Sequence, residues 1–253
     1  MVAILSRDVA SEFEKRTKIK TIALPRYERL DAPVSSHADM LLCVLENRIF
    51  IYSDYYNENK ELFNPIKGYR IVPVQKECKK EYPNDIGLNV LIIGKKIFCN
   101  IDNTAKEILS FAKEQGYEII HVKQGYSACS TLVIDEKNAL TGDNGMYKSL
   151  TENGVNTLLI SPVEIKLDGY NHGFIGGSVG IFAKKAYFSG DVSTLSDGEK
   201  IVEFLKSSKC EIIELTKEQI FDFGGIKFLN CTGLPNCLAF SMKAANFSGS
   251  YTA

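Results

Sequence analysis

Residues 124–161 read QGYSACSTLVIDEKNALTGDNGMYKSLTENGVNTLLIS, and the order of polar, apolar and turn-forming segments in this stretch decides the fold. Residues 131–134 and 139–141 are short apolar runs separated by Glu136-Lys137-Asn138, the pattern of two strands joined as a hairpin. Asp143 follows at once. A short helix over 146–153 should end at Gly154, because glycine takes the left-handed conformation that closes helices. Residues 157–160 are apolar on both faces, which predicts a buried strand. The stretch is therefore one ββαβ unit.

Working outward, the rest of the chain repeats this unit. An Asp placed just after a strand and just before a helix recurs at Asp8, Asp54, Asp102, Asp143 and Asp191. Repeats at such intervals point to an array of supersecondary units. Further hairpins are expected at 40–52, 88–99 and 179–189, with turns at Glu46-Asn47, Gly94-Lys95 and Lys184-Lys185. Strands that follow the helices are expected at 19–24, 70–74, 118–122 and 211–215. Thr104-x-x-Glu107 and Ser196-x-x-Glu199 have the form of capping boxes, and the five repeated Asp residues read as helix N-caps. The fifth unit is split, with its first strand at 226–229 and the remainder at the N-terminus. This predicts an α/β fold in one domain, a five-bladed propeller of ββαβ units about a pseudo-fivefold axis, with the fifth unit closed by both termini. Closure would remove exposed sheet edges. Residues 232–253 form an irregular tail with a candidate strand at 237–241.

Composition narrows the function. The chain has 253 residues, 45% hydrophobic and 24% charged, with 30 basic against 31 acidic side chains. A net charge of -1 argues against nucleic acid as a partner, since phosphate binding needs clustered cations. No run approaches the roughly 18 apolar residues of a membrane span. Seven dispersed cysteines without Cys-x-x-Cys pairs suit a reduced, cytoplasmic chain in which most are small buried hydrophobes.

In such a ring the polar segment ahead of each first strand should face a common centre. These segments hold His37 and Asp39, Asn84 and Asp85, Cys129, His172, and Asp222. Convergent titratable groups in a cleft are the default site. A cysteine nucleophile needs a base to form thiolate and a group to orient that base. Cys129, Cys231 and Cys237 are the candidate nucleophiles, His172 or His37 the base, and Asp39, Asp85 or Asp222 the orienting acid; spacing alone leaves the set open. The bland readings are that Asp85 and Asp222 cap turns, that Gly176-Gly177 and Gly224-Gly225 serve tight turns, and that His121 is structural. A metal site could be built from His37, Asp39 and His172, but its ligand count is thin and the runs lack a familiar spacing, so neither metal nor cofactor is expected.

Five ββαβ units with one shared between the termini resemble the pentein fold, the α/β propeller of guanidino-group-modifying enzymes. That superfamily includes deiminases, amidinotransferases, dimethylarginine dimethylaminohydrolase and a non-catalytic ribosome anti-association factor. The runs SSHADM (35–40), YPNDIGLNV (82–90), QGYSACS (124–130), GYNHGFIGGSVGIF (169–182), FSGD (188–191) and DFGGI (222–226) are similar to those of a bacterial family of unassigned function placed in that fold. The resemblance implies a C-terminal Cys that attacks a guanidinium carbon, a His opening the fourth unit as acid and base, and carboxylates on the substrate nitrogens. On that pattern Cys231 is the nucleophile, His172 the acid/base, and Asp85 with Asp39 hold the cation, while His37, Asn84, Cys129 and Asp222 complete the pocket. The pattern departs at Phe174, where the enzymes usually carry an acid, and at Phe228 and Leu229, near which they carry the Cys. The implied function is hydrolysis or group transfer on a small guanidino- or amino-acid-like substrate in the central pocket; the alternative is a non-catalytic ligand- or partner-binding protein. Oligomeric state is not set by the sequence.

Overall fold

In the computed structural model, which describes residues 1–230, the N-terminal strand β1 (Val2–Ser6) runs directly into helix α1 (Arg7–Thr17) and returns as β2 (Thr21–Leu24). A lead-in with one 3-10 turn at Ala32–Val34 and a single helical turn, α2 (Ala38–Leu41), precedes the hairpin β3 (Leu42–Leu45) and β4 (Arg48–Tyr52). Helix α3 (Ser53–Glu58) and β5 (Arg70–Val74) complete that unit. The same order follows in β6 (Leu91–Ile93), β7 (Lys96–Cys99), α4 (Lys106–Glu114) and β8 (Glu118–His121), and in β9 (Thr131–Val133), β10 (Asn138–Thr141), α5 (Asn144–Glu152) and β11 (Asn156–Leu159). The last complete unit is β12 (Val179–Phe182), β13 (Lys185–Phe188), α6 (Gly198–Ser207) and β14 (Glu211–Glu214), after which β15 (Lys227–Leu229) stands alone.

Each unit is a three-stranded sheet whose middle strand is antiparallel to the strand before it and parallel to the strand after it. The fifth sheet has the order β15-β1-β2, with Val2 opposite Leu229 and Ala3 opposite Thr21, so it draws on both ends of the described chain. Parallel pairing requires a crossover, and the helix between the second and third strands supplies it. Left-handed residues close four of these crossovers, Lys18 (φ 61°), Gly116 (φ 72°), Gly154 (φ 80°) and Lys209 (φ 56°). The hairpins use the same freedom at Glu46, Gly94, Ala183 and Lys184.

The middle strands form the core. Ile49, Phe50 and Ile51 of β4, Ile97 and Phe98 of β7, Ala139 and Leu140 of β10, and Ala186 and Phe188 of β13 are essentially inaccessible, as are Ala3, Ile4 and Leu5 of β1. The third strands lie outside. In β11 Leu158 is only half-buried and Leu159 is exposed, so the buried strand expected at 157–160 is instead a half-covered edge strand. Among the first strands β6 adjoins β9, β9 adjoins β12 and β12 adjoins β15, and a cavity of about 230 Å³ is lined by Val44, Leu91, Leu132, Gly180 and Lys227, one residue from each of the five.

Local chemistry departs from expectation at the helix starts. Asp143 caps α5 by accepting from Met146 N at 2.7 Å, and Asp191 caps a 3-10 turn by accepting from Ser193 N at 2.8 Å. Asp8 and Asp54 fall inside the first turn instead, because β1 and β4 enter their helices without an intervening residue. There a carboxylate still favours the helix N-terminus. Ser6 is the cap of α1, and Asp102 lies in a turn ahead of α4. Neither capping box forms. Thr104 Oγ1 donates to Asn100 O, Glu107 accepts from Gln75 N, and Asp197 rather than Ser196 precedes α6. His121 is exposed at the end of β8, with Nδ1 accepting from Ile101 N. The tail, with Cys231, Cys237 and the strand expected at 237–241, lies outside the described residues. Among the described residues no helix is long and apolar enough to cross a membrane.

Candidate functional site

The polar segments ahead of the first strands meet at a cavity of about 240 Å³. His37, Asp85, Cys129, His172 and Asp222 lie in its wall with Met40, Tyr126, Tyr170 and Phe174. Lysine and arginine are missing from that wall among the described residues.

Asp222 is the most constrained of these groups. Its Oδ2 accepts from Phe174 N at 2.8 Å and its Oδ1 from Gly224 N at 3.0 Å. Only glycine at 177 admits it, since a Cβ there would stand 2.1 Å from Asp222 Oδ1. Gly224 does the same for His37 and also needs its positive φ of 82°, and its would-be Cβ lies 2.3 Å from His37 Cβ. The two diglycines thus serve close approach as well as turning. Burial pushes the Asp222 carboxyl up to about 6, and the two backbone N–H groups only partly offset it. His37 Nδ1 lies 3.6 Å from Asp222 Oδ1, and burial pushes the imidazole down, so the pair is a neutral ring beside an acid.

Asp85 opens directly onto the cavity. Its Oδ2 accepts from Tyr126 OH at 2.6 Å, while Oδ1 is buried without a hydrogen-bond partner. Burial raises its carboxyl, and the Tyr126 hydrogen bond pulls the other way. Asp39 lies behind the wall rather than in it, 2% exposed, and neither of its oxygens meets a donor in hydrogen-bonding geometry. Its carboxyl is raised by burial and by the nearby charge of Asp222. Between Asp39 and the cavity sits Cys129, whose Sγ receives Asn89 Nδ2 at 2.8 Å. Burial, then Asp39 and Asp222, hold this thiol well above its ordinary value, which makes it a poor thiolate source.

His172 is half-buried, with Nδ1 2.9 Å from Gly173 O and its ring edge-on to Phe174. Asn84 is not brought to the cavity. Its side chain donates to Glu81 O, because its backbone belongs to the outer turn preceding Asp85. Cys231, the candidate nucleophile, lies outside the described residues. The sequence does not single out Tyr126, Tyr170 or Asn89. Tyr126 is embedded in the QGYSACS run, yet its partner Asp85 is 41 positions away, a pairing that no local pattern reveals. Among the described residues no three His, Cys, Asp or Glu side chains are grouped to hold a metal ion.

The sequence matches the model of a family of unknown function (DUF6873) over residues 4–227. No curated protein matches it. Among solved structures, the chain is similar to a DDAH from Pseudomonas aeruginosa, a cysteine-to-serine mutant complexed with citrulline, at 10% identity and a TM-score of 0.54, over 84% of this chain and 91% of that one. It is similar to the C. jejuni agmatine deiminase with substrate bound at 11% identity and 0.54, over 85% and 87%. An amidinotransferase from Microseira wollei, of the saxitoxin biosynthetic pathway, matches at 11% and 0.51, over 84% and 87%. The fold is that of the guanidino-modifying enzymes, the pentein fold.

Proposed function

The chain belongs to the family of unknown function DUF6873, and from that premise we propose that its cavity binds a small cation of the guanidino or amino-acid-like class. One observation carries the reading. Two acids line the cavity and a third lies just behind it, adding negative charge; Asp85 Oδ1 lacks a donor, and the wall supplies no lysine or arginine among the described residues. Unpaired buried carboxyls are costly, and a cation with N–H donors relieves that cost. A guanidinium suits the site because its planar fork matches a carboxylate and its faces stack on rings such as Tyr126, Tyr170 and Phe174. The fold shared with enzymes whose structures hold citrulline or substrate supports the same class. In this reading the five sheets close into a propeller, supported by the cavity that the first strands of all five line together.

Isothermal titration with agmatine, arginine and methylguanidine tests the proposal. Binding of at least one, weakened about tenfold or more in Asp85→Asn, is expected. A protein that binds none of them, or an Asp85→Asn variant that binds as well as the parent, overturns it.

A second reading, hydrolysis or amidino transfer, is favoured by His172, an acid/base group in the same wall as Asp85. Cys231 would serve as nucleophile, since the Cys129 thiol is held protonated. Thiol labelling resolved by residue tests it. The reading expects Cys231 to react much faster than Cys129 and to be protected by the bound guanidino compound; slow labelling of Cys231 sinks it.

A further inference from the structure

The cavity between the first strands has a feature that the cation site does not use. Ile4, Phe50, Phe98, Ala139 and Tyr187 each lie four residues before a repeated Asp, and across the hairpin register they face Lys227, Cys43, Leu91, Val133 and Gly180. All five of those partners line the cavity. Four are uncharged and one is a lysine. Lys227 is in fact the only charged side chain in the lining, and among the described residues its ammonium has neither hydrogen bond nor ion pair. The same cavity is lined by the apolar side chains of Val44, Val90, Ile92, Leu132, Val179 and Ile226.

This cavity of about 230 Å³ adjoins another of about 320 Å³ at the hairpin ends, and Val44, Ile92, Val133 and Ile181 line both. Together they reach the size range of small-molecule sites, about 300–1,000 Å³. Of the three acids at the outer end, Glu46, Asp135 and Glu136, two are engaged. Glu46 pairs with Lys95 at 2.8 Å, and Asp135 accepts from Lys137 N and Asn138 N. A half-buried ammonium in apolar surroundings gains most from an anion that also fills the apolar volume.

We propose that the space between the five first strands is a second ligand site, for an aliphatic carboxylate whose head pairs with Lys227 and whose chain lies along Val44, Ile92, Val133 and Ile181. The site has its own lining, distinct from that of the cation pocket, although Lys227 also acts electrostatically on Asp39 behind that pocket.

Isothermal titration of the full chain with sodium octanoate, 1-octanol and sodium acetate tests this, using the parent, Lys227→Met and Val133→Phe. Octanoate should bind the parent, and octanol and acetate should bind at least tenfold more weakly, since each supplies one half of the recognition. Lys227→Met should weaken octanoate at least tenfold, and Val133→Phe, which keeps the charge but fills the volume, should do the same. If one variant does not fold, the other decides. No octanoate binding by the parent, equal binding of octanol, or unchanged binding in the folded variant overturns the proposal.

Discussion

His37 and Asp222 face one another at 3.6 Å, nearly inaccessible, and their surroundings drive both toward the neutral form. Burial lowers the imidazole and raises the carboxyl to about 6, so the contact is not an ion pair at rest. The centre of the molecule is therefore poised to change charge when something positive arrives.

Asp222 should leave a signature in stability. Its folded value, about 6, lies above the ordinary 3.8, so the native state holds the extra proton between those values. Stability is then present at low pH and lost as pH rises from about 4 to about 6, by on the order of 3 kcal/mol. Asp222→Asn should remove this loss. Urea midpoints of parent and variant across pH 4–7 measure it, and parallel curves would contradict the assignment.

Binding of a cation should release protons. Ligand charge lowers the carboxyls that burial has raised, so near pH 6 up to about half a proton should leave Asp222. Calorimetric enthalpies in buffers of differing ionisation heat report this. Release should diminish by pH 8, and proton uptake on binding would be the wrong sign.

The glycines at the site should be far less replaceable than those at helix ends. Gly116 has a positive φ, but no neighbouring atom lies within 4 Å of where a Cβ would stand, so Gly116→Ala should cost about 1–2 kcal/mol from conformation alone. Gly177→Ala, whose Cβ would collide with Asp222, should cost at least about 3 kcal/mol and weaken cation binding as well. Equal urea midpoints for the two variants would rule out this packing argument.

Tyr126→Phe removes the side-chain donor to Asp85 and leaves that buried carboxyl poorly satisfied. A loss of about 1–3 kcal/mol in stability is expected. In Asp85→Asn the same substitution should cost much less, a coupling that a double-mutant cycle by urea denaturation detects. Additive effects would mean that the hydrogen bond contributes nothing.

Much of the fold is legible in residues 124–161, because hairpin turns and helix-ending glycines are local signals; Gly94, Gly116 and Gly154 all take the positive φ that their positions suggest. Helix starts are less legible. A strand that enters its helix without a linking residue shifts Asp8 and Asp54 inward by a step or two, and periodicity does not register such a shift. Which strands lie outermost is hidden too. Residues 157–160 look buried by composition, but their place at the sheet edge is fixed by neighbours distant in sequence. At the candidate site, the polar segments ahead of the first strands mark His37, Asp85, Cys129, His172 and Asp222 as a group. The same signal marks Asn84, which turns outward, and cannot mark Tyr126 or Asn89, whose partners lie about 40 residues away.

The sheet that joins β15 to β1 and β2 has a consequence for synthesis. Strand β1 leaves the ribosome well before β15, so Val2, Ala3 and Ile4 must wait with one strand edge unpaired while about two hundred residues are made. The other four sheets are each contiguous in sequence and can form as they emerge. Completion of this sheet is thereby tied to the emergence of β15, and a chain halted before Lys227 would keep the open edge of β1 available for mispairing.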